Sequence, residues 1–166
     1  MAEVTPIVTL RFTVNDPVGI NGAYGMRKSE KGGRGQQYLR KPAAQFKEAV
    51  AIGALTARFW LWPCANLWRA ARVRVSYQLY DSNLDADGPR KLIRDALEGI
   101  LYVNDRVVDD GPAARSIKDG KGRRVEIVVD LLEMVSNEEA DRLHFEYTVA
   151  SVKRLQARDR KRKLAG

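Results

Sequence analysis

The sequence is poor in the side chains that form disulfides and zinc sites. Its 166 residues include one cysteine, Cys64, and one histidine, His144. A single cysteine excludes a disulfide within the chain and weakly favours a reducing compartment. An ordinary zinc site would lack its nitrogen and sulfur ligands, so zinc chemistry is disfavoured.

Long apolar runs are also absent. The first residues lack the basic start and apolar run of a signal peptide, and no apolar stretch approaches the length of a transmembrane helix. We therefore expect no membrane partner, and we expect the protein in the cytoplasm. A hydrophobic fraction of 45% in a chain of this length predicts one domain with a hydrophobic core.

Acidic residues are outnumbered by basic ones. The chain has 29 Lys and Arg against 21 Asp and Glu, a net charge of +8. This excess favours a polyanionic partner such as DNA or RNA, although a merely soluble basic protein has the same balance. The acids gather at Asp85-Ala86-Asp87-Gly88, and Asn104-Asp105 follows. A basic chain that concentrates acids in this way is typical of a nucleic-acid binder with a metal site.

The hydrophobic periodicity predicts an α+β fold with a single mixed β-sheet packed by helices. Alternation of apolar and polar residues predicts strands over residues 7–14, 72–80 and 123–132. Gly120-Lys121-Gly122 is a turn signal, and a strand is expected on each side of it, so these residues predict a hairpin.

Proline and capping signals place the helices. One helix is predicted over residues 42–61 and another over residues 89–99, each opened by a proline. Ser136-Asn137-Glu138-Glu139 matches a capping box and predicts a third helix with a basic end. We therefore divide the chain into a core over residues 1–135 and a C-terminal helical extension over residues 136–166.

The acidic segment follows the strand that ends at Tyr80. In extended backbone, Asp85 and Asp87 would point the same way and could reach one cation, with Lys91 nearby in the first turn of the next helix. Carboxylate oxygens suit Mg²⁺ or Mn²⁺ and phosphodiester hydrolysis. The alternative is an Asp-rich turn that merely caps the following helix.

Two motifs in this region carry a resemblance to a known family. The motifs are Asp85-x-Asp87-Gly88-x-x-Lys91-x-x-x-Asp95-Ala96-Leu97 and Asn104-Asp105-x-x-Val108. They resemble the RusA-type Holliday-junction resolvases, in which an Asp-Leu-Asp-Asn motif precedes a lysine and an Asp-Asp pair precedes a strand. Asn21-Gly22-Ala23-Tyr24 is similar to the family's Asn-x-x-Tyr motif. The resemblance covers residues 6–132.

The resemblance implies a RusA-like core and a Mg²⁺-dependent endonuclease, with Mn²⁺ as a possible substitute. It implies a homodimer that makes paired symmetric nicks in four-way DNA junctions, in DNA recombination and repair, often encoded on prophages. Matched by position, Asp85, Asp87 and Asp105 would be the metal-binding catalytic aspartates. Lys91 would be the catalytic lysine.

Three positions depart from the family pattern. Gly88 replaces the asparagine of Asp-Leu-Asp-Asn, and Asn104 replaces the first acid of the Asp-Asp pair. Asp109-Asp110-Gly111-Pro112 is expected to interrupt the strand after Val108. These departures affect the geometry of the site more than its chemistry.

The candidate DNA-binding residues lie mostly in or beside a glycine-rich basic loop over residues 25–41. The cationic side chains of this loop could contact the phosphates of DNA. The alternative is a solvated loop without a binding role, which would have the same composition. Tyr24 is equally suited to packing beneath the loop. The full set is Asn21, Tyr24, Arg27, Lys28, Lys31, Arg34 and Lys118.

Two other functions remain open from the sequence. The first is a non-catalytic basic DNA-binding protein in which the acidic cluster is only a helix-capping turn. The second is a Mg²⁺-dependent nuclease for RNA or flap substrates. Both are consistent with the charge, and a panel of substrates with added metal would separate them from a junction endonuclease.

Overall fold

Residues 5–27, 36–61 and 68–164 are described in a computed structural model of the chain. The elements in chain order are β1 (Val8–Asn15), α1 (Ile20–Ala23), β2 (Tyr24–Arg27), β3 (Gln36–Leu39), α2 (Lys41–Leu61), β4 (Trp68–Tyr80), α3 (Arg90–Leu97), a 3₁₀ helix (Asp105–Val107), β5 (Val108–Ile117), β6 (Arg124–Ser136) and α4 (Asn137–Leu164). The α+β class with a mixed sheet packed by helices is confirmed.

The main sheet has four strands in the order β1-β6-β4-β5. β4 pairs in parallel with β5 and antiparallel with β6, which also pairs antiparallel with β1. Alternate residues of the central strands are buried, as the period of two predicts: Val73, Val75, Tyr77 and Leu79 on β4, and Val125, Ile127, Val129 and Leu131 on β6. Each aliphatic side chain buried there contributes roughly 1.5–3 kcal/mol of hydrophobic stabilisation.

Helices α2 and α3 supply the other half of the core. The buried residues of α2 are Ala43, Phe46, Val50 and Ala54, which recur at helical spacing along one face. On α3 the buried residues are Leu92, Ile93, Ala96 and Leu97. Because α3 connects the parallel strands β4 and β5, it must lie over the sheet beside them. This crossover positions the residues of the candidate site.

The predicted hairpin at Gly120-Lys121-Gly122 is wrong. β5 and β6 both pair with β4, one on each side, so they are not neighbours. Neighbouring strands lie about 4.8 Å apart, so the connection must cross the end of β4 rather than fold back in a tight turn. Asp81, just beyond β4, accepts hydrogen bonds from Asp119 N at 3.2 Å and Gly122 N at 3.1 Å. Asp81 thereby fixes the crossing segment.

Two further predictions about strands are corrected. The 25–41 segment is not all loop, because β2 and β3 pair antiparallel in a second, two-stranded sheet. The chain therefore has more than the single sheet predicted. Asp109-Asp110-Gly111-Pro112 lies inside a continuous β5, although the pairing with β4 shifts register between Asp110 and Ala113. A β-bulge of this kind accommodates the glycine and proline.

The C-terminal helix begins where the capping box predicts. Glu139 N donates to Ser136 Oγ at 3.2 Å, which satisfies one of the free amide groups at the start of α4. Ala140, in the first turn of α4, is buried. The division into a core and an extension stays a prediction. Among the described residues, no helix combines the length and apolar character needed to cross a membrane.

A substitution at Gly111 tests the close approach of β5 to β4. A Cβ at this position would lie 2.8 Å from Ser76 Cβ and 2.9 Å from the carbonyl oxygen of Val75. We expect Gly111→Ala to lower the free energy of unfolding by about 1–3 kcal/mol, measured by urea denaturation. Gly22→Ala is the control, because no heavy atom lies within 4 Å of its added Cβ. Equal stability of the two variants would contradict this pairing.

The crossing segment predicts a pH-dependent contribution to stability. Arg124 donates to both carboxylate oxygens of Asp119, at 2.9 and 2.5 Å, and these bonds hold the pKa of Asp119 far below its usual range. Because the pKa is lowered on folding, the contribution is complete above the unfolded value of about 3.9 and is lost as the pH falls further.

Asp119→Asn should therefore lower the melting temperature at pH 7, and the difference from the parent should shrink below about pH 4. Asp141→Asn, which removes an exposed carboxylate of α4, is the control. A difference between parent and Asp119→Asn that stays constant from pH 7 to pH 2 would refute the assignment.

Candidate functional site

The acidic segment forms a turn rather than an extended strand. Gly88 N donates to the carbonyl oxygen of Asp85 at 2.9 Å, and Arg90 N donates to that of Asp87 at 3.2 Å. The prediction that Asp85 and Asp87 leave extended backbone side by side is therefore wrong. A Cβ at Gly88 would lie 3.1 Å from the Asp85 carbonyl oxygen, so a larger residue at this position would require the turn to shift.

A buried tyrosine of β4 holds the middle of this turn. The hydroxyl of Tyr77 donates to the carbonyl oxygen of Ala86, which lies between the two aspartates. Burial raises the pKa of Tyr77, and the nearby Arg90 guanidinium opposes the rise. Tyr77 thus links the sheet, the acidic turn and the start of α3.

Two arginines of α3 join three aspartates into one chain of ion pairs, which we call the arginine–aspartate cluster (Asp87, Arg90, Asp110, Arg94 and Asp105). Arg90 lies 2.8 Å from Asp87 and 3.4 Å from Asp110. Arg94 lies 3.5 Å from Asp110 and 3.7 Å from Asp105. Residues four apart on a helix face the same side, so both arginines reach Asp110.

The backbone around Asp105 is fixed by its neighbours. Asn104 caps the 3₁₀ helix by accepting from Arg106 N at 3.0 Å. Arg94 Nη2 also donates to the Asp105 carbonyl oxygen at 2.8 Å. The Tyr102 hydroxyl donates to the Arg94 carbonyl oxygen at 2.7 Å, and burial raises the pKa of Tyr102 well above its usual value. Asp105 is thereby held against α3.

The predicted catalytic lysine contacts an acid outside the cluster. Lys91 Nζ lies 3.8 Å from Asp95, which also lies 3.9 Å from Lys47 Nζ of α2. The Lys91 side chain is 61% exposed. The structure therefore places this ammonium on the exposed surface of α3, with Asp95 as its ion-pair partner.

Asp85 lies on a separate groove. This groove, of about 380 Å³, is lined by Asp85, Asn21 and Arg123 among others. Its wall is tied to the acidic turn because Ile20 N donates to the Gly88 carbonyl oxygen at 2.8 Å. Asp85 and Asn21, both predicted site residues, thus share a cavity that does not include Asp87 or Asp105.

The predicted metal ligands do not form a metal site as the structure places them. In residues 5–27, 36–61 and 68–164, no three His, Cys, Asp or Glu side chains group closely enough to hold one metal ion. The carboxylate oxygens of these aspartates are the type of ligand that Mg²⁺ and Mn²⁺ prefer. The arrangement of the aspartates does not suit a metal ion, because Asp87 and Asp105 contact arginine instead.

Sequence reasoning missed Asp110, Arg90, Arg94 and Tyr77. Asp110 and Tyr77 become neighbours of the site through strand pairing, since Asp110 pairs with Val75 two residues before Tyr77. The spacing of the arginines was a usable signal, because positions 90 and 94 on a short helix share a face. Nothing local in the sequence identifies Asp110 as their common partner.

The candidate DNA-binding residues differ in their burial and in whether the structure describes them. Tyr24 is half-buried and packs against the core, and its contact with DNA stays a prediction. Asn21 and Lys118 are exposed. Arg27 ends β2. Lys28, Lys31 and Arg34 lie outside the described residues.

Comparison with known proteins does not establish a family. No protein-family model matches the chain, and no curated protein matches it. The solved structure of a 2C-methyl-D-erythritol 2,4-cyclodiphosphate synthase from Plasmodium vivax aligns with 80% of this chain and 98% of that chain. The sequence identity is 12% and the TM-score is 0.35, a level of likeness that carries no information about function.

Removing the Tyr77 hydroxyl tests whether it holds the acidic turn. Tyr77→Phe removes the hydroxyl that donates to the Ala86 carbonyl oxygen, so we expect a loss of about 1–3 kcal/mol in the free energy of unfolding, measured by urea denaturation. Tyr80→Phe is the matched control. Tyr80 also lies on β4, and its hydroxyl makes a long hydrogen bond of 3.3 Å to Glu126. Equal losses in both variants would show that the turn does not depend on Tyr77.

Proposed function

We propose that this chain is a divalent-metal-dependent endonuclease that cuts branched DNA, including four-way junctions. The observation that supports it most is the convergence of Asp87 and Asp105 on the arginines of α3. These two aspartates come from separate segments, and both belong to the motifs that resemble the junction resolvases. Carboxylates gathered from separate segments are typical of sites for phosphodiester chemistry.

The cofactor proposed with this activity is Mg²⁺, with Mn²⁺ as a substitute. By resemblance its ligands are Asp85, Asp87 and Asp105, which are all exposed and have the right donor atoms. In the arrangement described, Asp85 lines the groove and the other two contact arginine. Cation binding would therefore require these side chains to exchange partners.

The exposed ammonium of Lys91 suits a role on the substrate phosphate. Its pair with Asp95 spans 3.8 Å, and a solvent-exposed pair of this length contributes about 0–1 kcal/mol. A phosphate group carries more charge and can replace such a partner at little cost. We assign Lys91 to stabilising negative charge on the phosphate, as the resemblance implies.

The proposed partner is DNA, and the charge of the chain supports it. A net charge of +8 favours binding to the phosphate backbone. The C-terminal part of α4 carries many of the cations in its sequence: Lys153, Arg154, Arg158, Arg160, Lys161, Arg162 and Lys163. Because branched DNA forms during recombination and repair, we propose a role for the chain in these processes. A prophage origin and a cytoplasmic location belong to the same proposal.

The proposal includes a homodimer. Ile52, Leu55 and Phe59 lie on one exposed face of α2, with exposed fractions of 56%, 50% and 66%. An apolar stripe of this kind is a common feature of protein contact surfaces. A second copy of the chain on this face would place two sites on a substrate that itself has two-fold symmetry.

A second candidate function has its own supporting observation. Arg90 and Arg94 form ion pairs with the acids of the cluster, and the Asp87 carbonyl oxygen accepts a hydrogen bond from Arg90 N at the start of α3. This is what a structural turn would show in a non-catalytic DNA-binding protein. That protein would retard DNA in a gel and form no metal-dependent product.

Substitution of Asp87 tests the catalytic proposal. Incubating full-length protein with labelled four-way junction and Mg²⁺ should give paired nicks, and Asp87→Asn should lower the rate by about 100-fold or more while junction binding persists. The carboxylate charge is lost, but the amide keeps the size of the side chain. Asp141→Asn on α4 should cleave at the parent rate.

Two outcomes would overturn the proposal. If the parent binds the junction but yields no product at any Mg²⁺ or Mn²⁺ concentration, the non-catalytic function is correct. If Asp87→Asn cleaves as fast as the parent, the acidic turn has no catalytic part. A panel with flap DNA and RNA substrates in the same assay identifies the preferred substrate.

A further inference from the structure

Strand β1 forms an open edge of the main sheet. Within the described residues, β1 pairs with β6 on one side and with no strand on the other. Asp16 N donates to the Arg123 carbonyl oxygen at 3.0 Å, and this bond continues the register of the two strands. Because bonded and non-bonded pairs alternate in an antiparallel ladder, Thr9, Arg11 and Thr13 turn their backbone N–H and C=O groups away from β6. These groups form a row that another strand could bind.

The two edges of the main sheet differ in how well they could accept a further strand. β5, at the other edge, contains Pro112 and shifts register against β4. A proline offers no N–H, and a shift in register twists the strand, so both features oppose the addition of a strand. β1 pairs in unbroken register from Val8 to Asn15, a segment that contains no proline. The edge of β1 is therefore the better suited of the two.

A groove runs along this edge, between β1 and α2. Its volume is about 630 Å³. A strand added about 4.8 Å from β1 would lie in it. Trp60 forms part of its wall, with 78% of the residue exposed. The lining residues include Thr9, Arg11, Phe12 and Thr13 of β1 and Thr56 and Trp60 of α2.

The charge and the apolar surface of the groove indicate which side chains fit it. Arg11 is exposed, and no ion pair of Arg11 is found in the part of the chain that the structure describes. Residues opposite each other on neighbouring strands share a face of the sheet, so an acid opposite Arg11 would pair with it. The two residues beside that acid would point to the other face, towards Phe12 and Trp60, where apolar side chains fit.

We propose that the edge of β1 binds an extended segment of a partner protein, in which an acidic residue lies between two apolar residues, as an added strand. Hydrogen bonds to the backbone of β1 would supply affinity, and contacts with Arg11 and Trp60 would supply selectivity. A second copy of the chain fits less well, because β1 (Val8–Asn15) has no acid to place opposite Arg11. The inference does not depend on the nuclease activity.

The test uses full-length protein and a fluorescein-labelled peptide, Ser-Val-Thr-Val-Asp-Val-Thr-Val-Ser, with binding followed by fluorescence anisotropy. We expect saturable binding, and about five-fold weaker binding of the same peptide with a central lysine. Arg11→Glu reverses the charge on an exposed side chain and should reverse this preference. Because both peptides meet the same backbone, the reversal isolates the contact with residue 11.

A second variant tests the apolar side of the groove. Trp60→Ala removes an exposed ring, so the fold should persist, and we expect the aspartate peptide to bind about five-fold more weakly. Phe145→Ala is the control, because Phe145 is 68% exposed on α4 and does not line the groove. Its affinity for the peptide should equal that of the parent.

Amide hydrogen exchange followed by NMR tests the addition of a strand without any variant. In the free protein, the amides of Thr9, Arg11 and Thr13 should exchange faster than those of Leu10 and Phe12, which bond to β6. Saturating peptide should slow the exchange of the first three by about ten-fold or more. Binding that leaves their exchange unchanged would reject strand addition.

Three other results would overturn the proposal. The first is no binding of the aspartate peptide, and the second is equal binding of the aspartate and lysine peptides by the parent. The third is tighter binding of a peptide with the sequence of β1, Val-Thr-Leu-Arg-Phe-Thr-Val-Asn, than of the aspartate peptide. That result would assign the edge to a second copy of the chain.

Discussion

The sharing of Asp110 by Arg90 and Arg94 is the contact on which the candidate site depends. It links the acidic turn, through Arg90, to the 3₁₀ helix, through Arg94. Asp110 can do this because β5 runs parallel to β4 and α3 crosses between them. The fold therefore brings three aspartates from three segments to one helix face.

The local elements of the fold could be predicted because their signals are local. Alternation of apolar residues found β4 and β6, and the capping box at Ser136 found the start of α4. Strand order could not be predicted in this way, because it depends on contacts far apart in the sequence. A turn signal at Gly120 was compatible with a hairpin, but β4 separates β5 from β6.

The site was predicted only in part for a similar reason. The motif spacing predicted Asp87 and Asp105 at one site, and both lie in the arginine–aspartate cluster, while their catalytic role stays a prediction. Asp85 was expected beside them, but the Asp85–Gly88 turn directs the chain so that Asp85 lines a different groove. Asp110 was read as an interruption of a strand. Its role appears only when the parallel register of β5 against β4 is known.

The proposed function requires the Asp87 and Asp105 carboxylates to exchange arginine for a divalent cation. Anomalous scattering from crystals of the full-length protein grown with Mn²⁺ tests it most directly. We expect a Mn²⁺ peak within ligand distance of the Asp87 and Asp105 carboxylates, with the Arg90 and Arg94 guanidinium groups turned away. Intact arginine–aspartate pairs with no Mn²⁺ beside them, at saturating metal, would contradict it.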